Sequence, residues 1–207
     1  RDTDPTIGGV FQRSVKVALV VLTPAAIACV GLAEPIMRLA FGPDFADGAS
    51  ALRLLGPVVL LVALVTMCTA LVYYHGDPRT IFRITGVMVV LNVALNLVLI
   101  PRYEAAGAAA AMLATEVVFA FVVMRLSVSD VGGISWTSLL AAPVTAGAAM
   151  SLALFVLSST PAVSLVLGLA AYAAAYLAVE RVVSPDDLAF VRTLVRRLRS
   201  RVALSRT

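Results

Sequence analysis

Four polar side chains lie in or beside long apolar stretches of the sequence. Glu116 lies in GAAAAMLATEVVFAFVVM, and Asn92 and Asn96 lie in MVVLNVALNLVLI, with Arg83 nine residues before Asn92. Placing a charged group at the centre of a membrane costs about 2.5 kcal/mol or more even on lenient insertion scales. These four residues are therefore the candidates for a site, and each has to be weighed against a purely structural role.

Glu116 falls near the middle of its apolar stretch. A carboxyl group at that depth should be protonated, paired with another group or facing water. Two interpretations remain open. In the first, Glu116 takes up and releases a proton and thereby couples proton movement to transport. In the second, it is a protonated acid that is hydrogen-bonded to a neighbouring helix.

Asn92 and Asn96 are one helical turn apart, so their carboxamides share one helix face. That face can line a substrate path, or it can form hydrogen bonds to another helix in a dry bundle. Nine steps of about 100° place Arg83 on the opposite side of a straight helix, so it cannot share a cavity with Asn92. Arg83 can instead reach anionic headgroups at the membrane surface or grip a pyrophosphate.

The elements that hold these residues are predicted to be membrane-spanning helices, because each apolar stretch approaches the roughly 20 residues that a crossing requires. Pro101 is expected to end the third helix. We predict an all-α polytopic bundle of about six transmembrane helices in residues 15–183, preceded by a cytoplasmic lead-in (1–14) and followed by a basic cytoplasmic tail (184–207). The predicted spans are 15–33, 58–74, 80–100, 106–126, 136–157 and 163–183, and residues 34–55 form an interfacial segment.

Composition supports a membrane protein: 61% of the 207 residues are hydrophobic, 14% are charged, and the mean hydropathy is +1.00. The net charge of +4 does not indicate a nucleic-acid partner, because the basic residues cluster at the ends of the spans. With six spans, all Lys and Arg residues except Arg38, Arg53 and Arg102 fall on one side. That excess predicts that both termini are cytoplasmic.

The sequence displays no nucleophile–base pair, metal-ligand cluster or phosphate-binding loop, which predicts that the chain is not an enzyme and uses no cofactor or metal. It does display a line of small residues at Gly107, Ala111 and Thr115. Small residues spaced four apart let two helix backbones approach closely. We therefore expect this line to be a packing surface.

An ordered set of segments carries a family resemblance. EPIMRLAFGPDF followed by ALRLL, then LNVALNLVLIP, a short turn and GAAAAMLATE resembles the second half of a polysaccharide-biosynthesis flippase of the multidrug/oligosaccharidyl-lipid/polysaccharide exporter superfamily. The similarity spans roughly Phe11 to Glu116. It implies one of two helix bundles around a cavity that opens alternately to the two sides of the membrane. Asn92 and Asn96 resemble the asparagines of that family's motif.

The resemblance implies the C-terminal bundle of a flippase that moves a lipid-linked oligosaccharide, a cell-surface polysaccharide precursor, across the cytoplasmic membrane. Its implied partners are membrane lipid, the lipid-linked oligosaccharide, and either a missing N-terminal bundle or a second copy. A multidrug exporter of the same superfamily and a non-transporting membrane interaction module are the alternatives. Because the chain opens with Arg1 rather than Met, we expect it to be part of a longer protein.

Overall fold

The computed structural model describes residues 5–75, 78–128, 136–156 and 160–183, and every regular element within these ranges is helical. Five helices in the described ranges are long and apolar enough to cross a membrane. The predicted all-α membrane bundle is therefore confirmed. The elements are α1 (Pro5–Gly31), α2 (Ala33–Phe41), a 3-10 helix (Pro43–Gly48), α3 (Ala49–His75), α4 (Pro78–Val128), α5 (Trp136–Val156) and α6 (Pro161–Val183).

Helix α4 is a hairpin of two antiparallel arms. Its helical geometry is broken at Glu104, which has φ 50° and ψ −125°. On one straight helix, Asn92 and Thr115 would be roughly 35 Å apart, yet the Asn92 Nδ2 atom lies 3.2 Å from Thr115 Oγ1. We call residues 78–103 the N arm and residues 105–128 the C arm. Each arm exceeds the roughly 20 residues of a crossing, so the described chain contains six apolar segments of membrane length.

The position of the break corrects the prediction that Pro101 ends the helix. Pro101 lies inside the helical N arm, and the chain reverses three residues later, at Glu104. A proline removes one backbone hydrogen bond and bends a helix, whereas reversing the chain here takes a residue with positive φ. Gly107 makes the reversal possible, because a Cβ atom at that position would overlap the carbonyl group of Leu99.

Two other boundaries differ from the expected ones. Helix α1 begins at Pro5, inside the predicted lead-in, because a proline at the first helical position has its φ preset and loses no bonded N–H. Helix α3 begins at Ala49, inside the predicted interfacial segment, where the run ASALRLL consists mostly of good helix formers. The predicted tail, 184–207, lies outside the described residues.

Helices α1 and α3 form the middle of the bundle. Helix α4 packs mainly against α3, while α5 packs against α1 and α6. One buried cluster joins α3 to the C arm through Val65, Cys68, Ala120 and Val123. The other joins α5 to α6, where Met150 is its most deeply buried large side chain. The α4 hairpin consequently lies at one edge of the described bundle.

Candidate functional site

A groove with a volume of about 480 Å³ runs between the two arms of α4 and contains Asn92, Asn96 and Glu116. The structure thus brings together three of the four candidate residues. Side chains that recur every three or four positions share one helix face, and both arms present such a face here. The remaining lining residues are Thr85, Met88, Val89, Val93, Ala108, Met112, Thr115 and Phe119.

A chain of hydrogen bonds crosses the groove from one arm to the other. Asn96 Nδ2 lies 2.9 Å from Asn92 Oδ1 and donates a hydrogen bond to it. Asn92 Nδ2 donates to Thr115 Oγ1 at 3.2 Å, and Thr115 Oγ1 donates to the Ala111 carbonyl at 2.8 Å. The asparagines therefore hold the hairpin together. They also line the groove, so the geometry is compatible with both interpretations of their role.

Glu116 follows Thr115 directly and is half-buried at the edge of the same groove. Its Oε2 atom is inaccessible to solvent and has no hydrogen-bond partner among the described residues. Leaving a buried polar atom unpaired costs about 1–3 kcal/mol. Glu116 Oε2 is therefore a buried carboxyl oxygen without a hydrogen-bond partner among the described residues, next to the groove rather than open to it.

Arg83 lies apart from the other three candidates. It is exposed, it belongs to the first two turns of the N arm, and it does not line the groove. This position agrees with the helical spacing, which places Arg83 and Asn92 on opposite sides of the helix. Arg83 can contact groups near the membrane surface but not the groove.

Thr115 is a groove residue that takes part in the hydrogen bonds between the arms, and the sequence analysis did not assign it to the site. The small-residue line included it only as a packing position, whereas its hydroxyl group joins Asn92 to the C arm. The available signal was a hydroxyl group within an apolar stretch. Thr side chains in membrane helices can form hydrogen bonds to a neighbouring helix.

A buried ion pair between Lys16 of α1 and Glu180 of α6 was also missed. Lys16 Nζ lies 2.5 Å from Glu180 Oε1, and both residues are buried, with 7% and 1% of their surfaces exposed. A second polar contact joins the same two helices, since the Tyr172 hydroxyl donates to the Val20 carbonyl at 2.9 Å. These contacts hold α6 against α1, away from the α4 groove.

Comparison with known families gives a match, whereas no curated protein and no solved structure matches the chain. The matching family is described as Lipid II flippase MurJ, and the match covers residues 4–175. It includes the whole α4 hairpin and its groove. The match confirms the prediction that the chain belongs to a flippase for a lipid-linked substrate. The family's substrate is lipid II, whereas the sequence analysis predicted a polysaccharide precursor. The chain belongs to the MurJ family of lipid II flippases, which are multi-pass membrane transporters and not enzymes.

Proposed function

We propose that this chain is a bundle of a flippase that translocates lipid II, the lipid-linked precursor of peptidoglycan, across the cytoplasmic membrane. The observation that carries the proposal is the family match over residues 4–175. A lipid-linked precursor has a polar headgroup that must pass through hydrocarbon, and alternating access to an internal cavity is a general way to move it. On this proposal the chain is the C-terminal bundle and works with an N-terminal bundle.

The groove in α4 supplies the polar groups that such a transporter needs at membrane depth. Ionisable side chains inside membrane segments commonly belong to substrate pathways or proton relays. We assign Asn92 and Asn96 to the substrate path and Glu116 to coupling with a proton. Arg83, which is exposed outside the groove, is assigned to binding phosphate groups near the membrane surface.

The proposed orientation places both termini in the cytoplasm. It rests on the distribution of the 16 Lys and Arg residues, of which all but Arg38, Arg53 and Arg102 fall on one side of six spans. The two arms of α4 support the even number of crossings that this orientation requires. In this orientation the bend at Glu104 faces the outside.

The proposal is tested by producing the intact protein in bacteria whose own lipid II flippase can be depleted. Lipid II on the outer face is measured with an added enzyme that cleaves it only from outside. We expect growth and outer-face lipid II to be restored. A protein that reaches the membrane, leaves lipid II inside and does not restore growth would contradict the proposal and favour the non-transporting module.

A further inference from the structure

The segment between α1 and α3 exposes large apolar side chains beside charged ones. We call this segment, which consists of α2 and the 3-10 helix (residues 33–48), the corner. Leu39, Phe41 and Phe45 have 92%, 63% and 56% of their surfaces exposed. The corner also contains four charged residues, which are Glu34, Arg38, Asp44 and Asp47. Apolar side chains next to charges are typical of segments that lie at a membrane surface.

The packing of α3 against the C arm places the corner at such a surface. The two helices run in parallel, because the N arm lies between them in the chain. Ser127 Oγ donates a hydrogen bond to the Cys68 carbonyl at 3.1 Å, so these two positions lie at the same depth. About 20 helical residues span the roughly 30 Å of hydrocarbon. Counting back by that length reaches Gly107, beside the bend of the hairpin, and Gly48, where the corner meets α3.

The corner is fixed to the start of α3, so its apolar side chains are held in a set arrangement. The Met37 side chain fills the space beside Gly48, where an added Cβ atom would lie 2.7 Å from Met37 Cε. Gly42, with a φ of 101°, turns the chain between α2 and the 3-10 helix. The rings of Phe41 and Phe45 lie 6.1 Å apart across this turn. A surface that is already ordered loses little conformational entropy when it contacts a partner.

Lipid is the partner that the position and the charges of the corner favour. Val30 of α1 and Val59 of α3 are exposed just below the corner and continue its apolar surface towards the hydrocarbon. Arg38 is paired with Glu34, with 2.8 Å between Nη2 and Oε1. One positive and three negative residues give the corner a net charge of −2. Anionic headgroups attract basic segments rather than acidic ones, whereas the ammonium group of a zwitterionic phospholipid complements an aspartate.

We propose that the corner is a membrane-surface anchor whose Leu39, Phe41 and Phe45 side chains insert among zwitterionic phospholipids. The inference does not depend on the proposed transport of lipid II. The proposed orientation decides only that the leaflet is the outer one. The anchor fixes the depth of α1 and α3 in the bilayer, because its apolar side chains oppose movement into water and its charged ones oppose movement into hydrocarbon.

Fluorescence quenching in phosphatidylcholine liposomes tests the insertion. In the intact protein without Cys29 and Cys68, the fluorophore NBD is attached to Leu39→Cys or Phe45→Cys. The matched control carries it on Asp47→Cys, an exposed position in the same segment. We expect a lipid quencher at acyl carbon 5 to quench positions 39 and 45 about twofold more than position 47, because such segments reach only about 5–10 Å into the boundary. A quencher at acyl carbon 12 should be less effective.

Three results would overturn the anchor. Quenching of positions 39 and 45 by aqueous iodide but not by lipid would place them in water. Stronger quenching from carbon 12 than from carbon 5 would place them inside a span, and protection from both lipid and iodide would mean that protein covers them. Because both leaflets contain the quencher, these results do not depend on the orientation or on transport.

Lipid composition and a second pair of variants separate apolar insertion from attraction by charge. Adding phosphatidylglycerol should not increase the quenching at position 39, and an increase that high salt abolishes would overturn apolar insertion. Phe45→Ser should weaken the quenching at position 39, because one apolar side chain of the anchor is lost. Asp47→Ser is the control and should leave it unchanged. Undiminished quenching in a Phe45→Ser protein that melts like the parent would contradict a shared anchor.

Discussion

At the scale of single residues, Asn92, Asn96 and Glu116 give the α4 groove its amide and carboxyl groups, and each of them interrupts an aliphatic run. The buried Lys16–Glu180 pair has no such local pattern, because its members are 164 positions apart. A local pattern predicts a shared helix face, whereas contacts between distant helices depend on how the whole bundle packs.

Replacing Glu116 with Gln should abolish the pH dependence of lipid II flipping while leaving the protein folded. Gln keeps the size and a hydrogen-bonding group but cannot release or take up a proton. The rate of flipping in reconstituted liposomes, measured over a series of pH values, checks this prediction. The control is Glu104→Gln, the same substitution at the exposed bend of the hairpin. If Glu116→Gln leaves the rate of flipping and its pH profile unchanged, Glu116 serves only in packing and the prediction is wrong.

Replacing Lys16 with Met should destabilise the bundle strongly, because it leaves the charge of Glu180 buried without its partner. Breaking a buried ion pair in this way costs about 3–5 kcal/mol, while replacing both members with apolar residues is often neutral. Thermal unfolding in detergent should therefore show a much lower melting temperature for Lys16→Met. The melting temperature of the Lys16→Met/Glu180→Leu double variant should return most of the way to that of the parent.

The exposed pair between Arg38 and Glu34 provides the control for this measurement. Arg38 Nη2 lies 2.8 Å from Glu34 Oε1, but about half of each side chain is exposed. Such pairs on a helix surface contribute only about 0.3–0.5 kcal/mol, so Arg38→Met should melt close to the parent. If Lys16→Met also melts like the parent, the buried pair does not hold α6 against α1.

At the scale of elements, the α4 hairpin positions the groove. Its two arms, and the close packing at Gly107, could be predicted from the apolar stretches and the small-residue line. The site of the reversal could not, because Pro101 is the strongest helix-breaking signal nearby while the positive φ falls on Glu104. The packing of one arm against the other, rather than the helix-breaking tendency of Pro101, therefore sets the position of the reversal.

Replacing Ala111 with Leu should disrupt the hairpin. Ala111 is fully buried between Gly107 and Thr115 on the small-residue line, which faces the N arm. Inserting extra methyl groups into a packed interior typically costs about 1–3 kcal/mol. We expect a lower melting temperature and poorer assembly, measured by size-exclusion chromatography and thermal unfolding. Ala114→Leu, on the exposed side of the same arm, should behave like the parent, and an equally stable Ala111→Leu protein would contradict close packing of the arms.

At the scale of the whole molecule, the bundle has a well-covered side and an open side. Helices α5 and α6 are joined to α1 by a buried cluster, an ion pair and the Tyr172 hydroxyl group. The α4 hairpin is held mainly by α3 and keeps its polar groove at the edge. Composition predicted a polytopic membrane bundle, but only the packing of the helices shows which face of the described bundle is least buried.

The proposed orientation of the bundle predicts opposite labelling at the two ends of the N arm. Thr80 and Glu104 are both exposed, and they lie at the start and at the bend of α4. In a background without the native Cys29 and Cys68, a membrane-impermeant thiol reagent added from outside should modify Glu104→Cys. It should modify Thr80→Cys only after the membrane is permeabilised. The reverse pattern would place both termini outside, against the distribution of Lys and Arg.

Transport of lipid II by the intact protein in liposomes is the most direct test of the central claim. Fluorescent lipid II and a fluorescent lipid-linked polysaccharide precursor are reconstituted separately, and the fraction reaching the opposite leaflet is followed by quenching from outside. The account predicts flipping of lipid II well above that in protein-free liposomes, and little flipping of the polysaccharide precursor. No movement of lipid II by correctly inserted protein, or faster movement of the polysaccharide precursor, would contradict it.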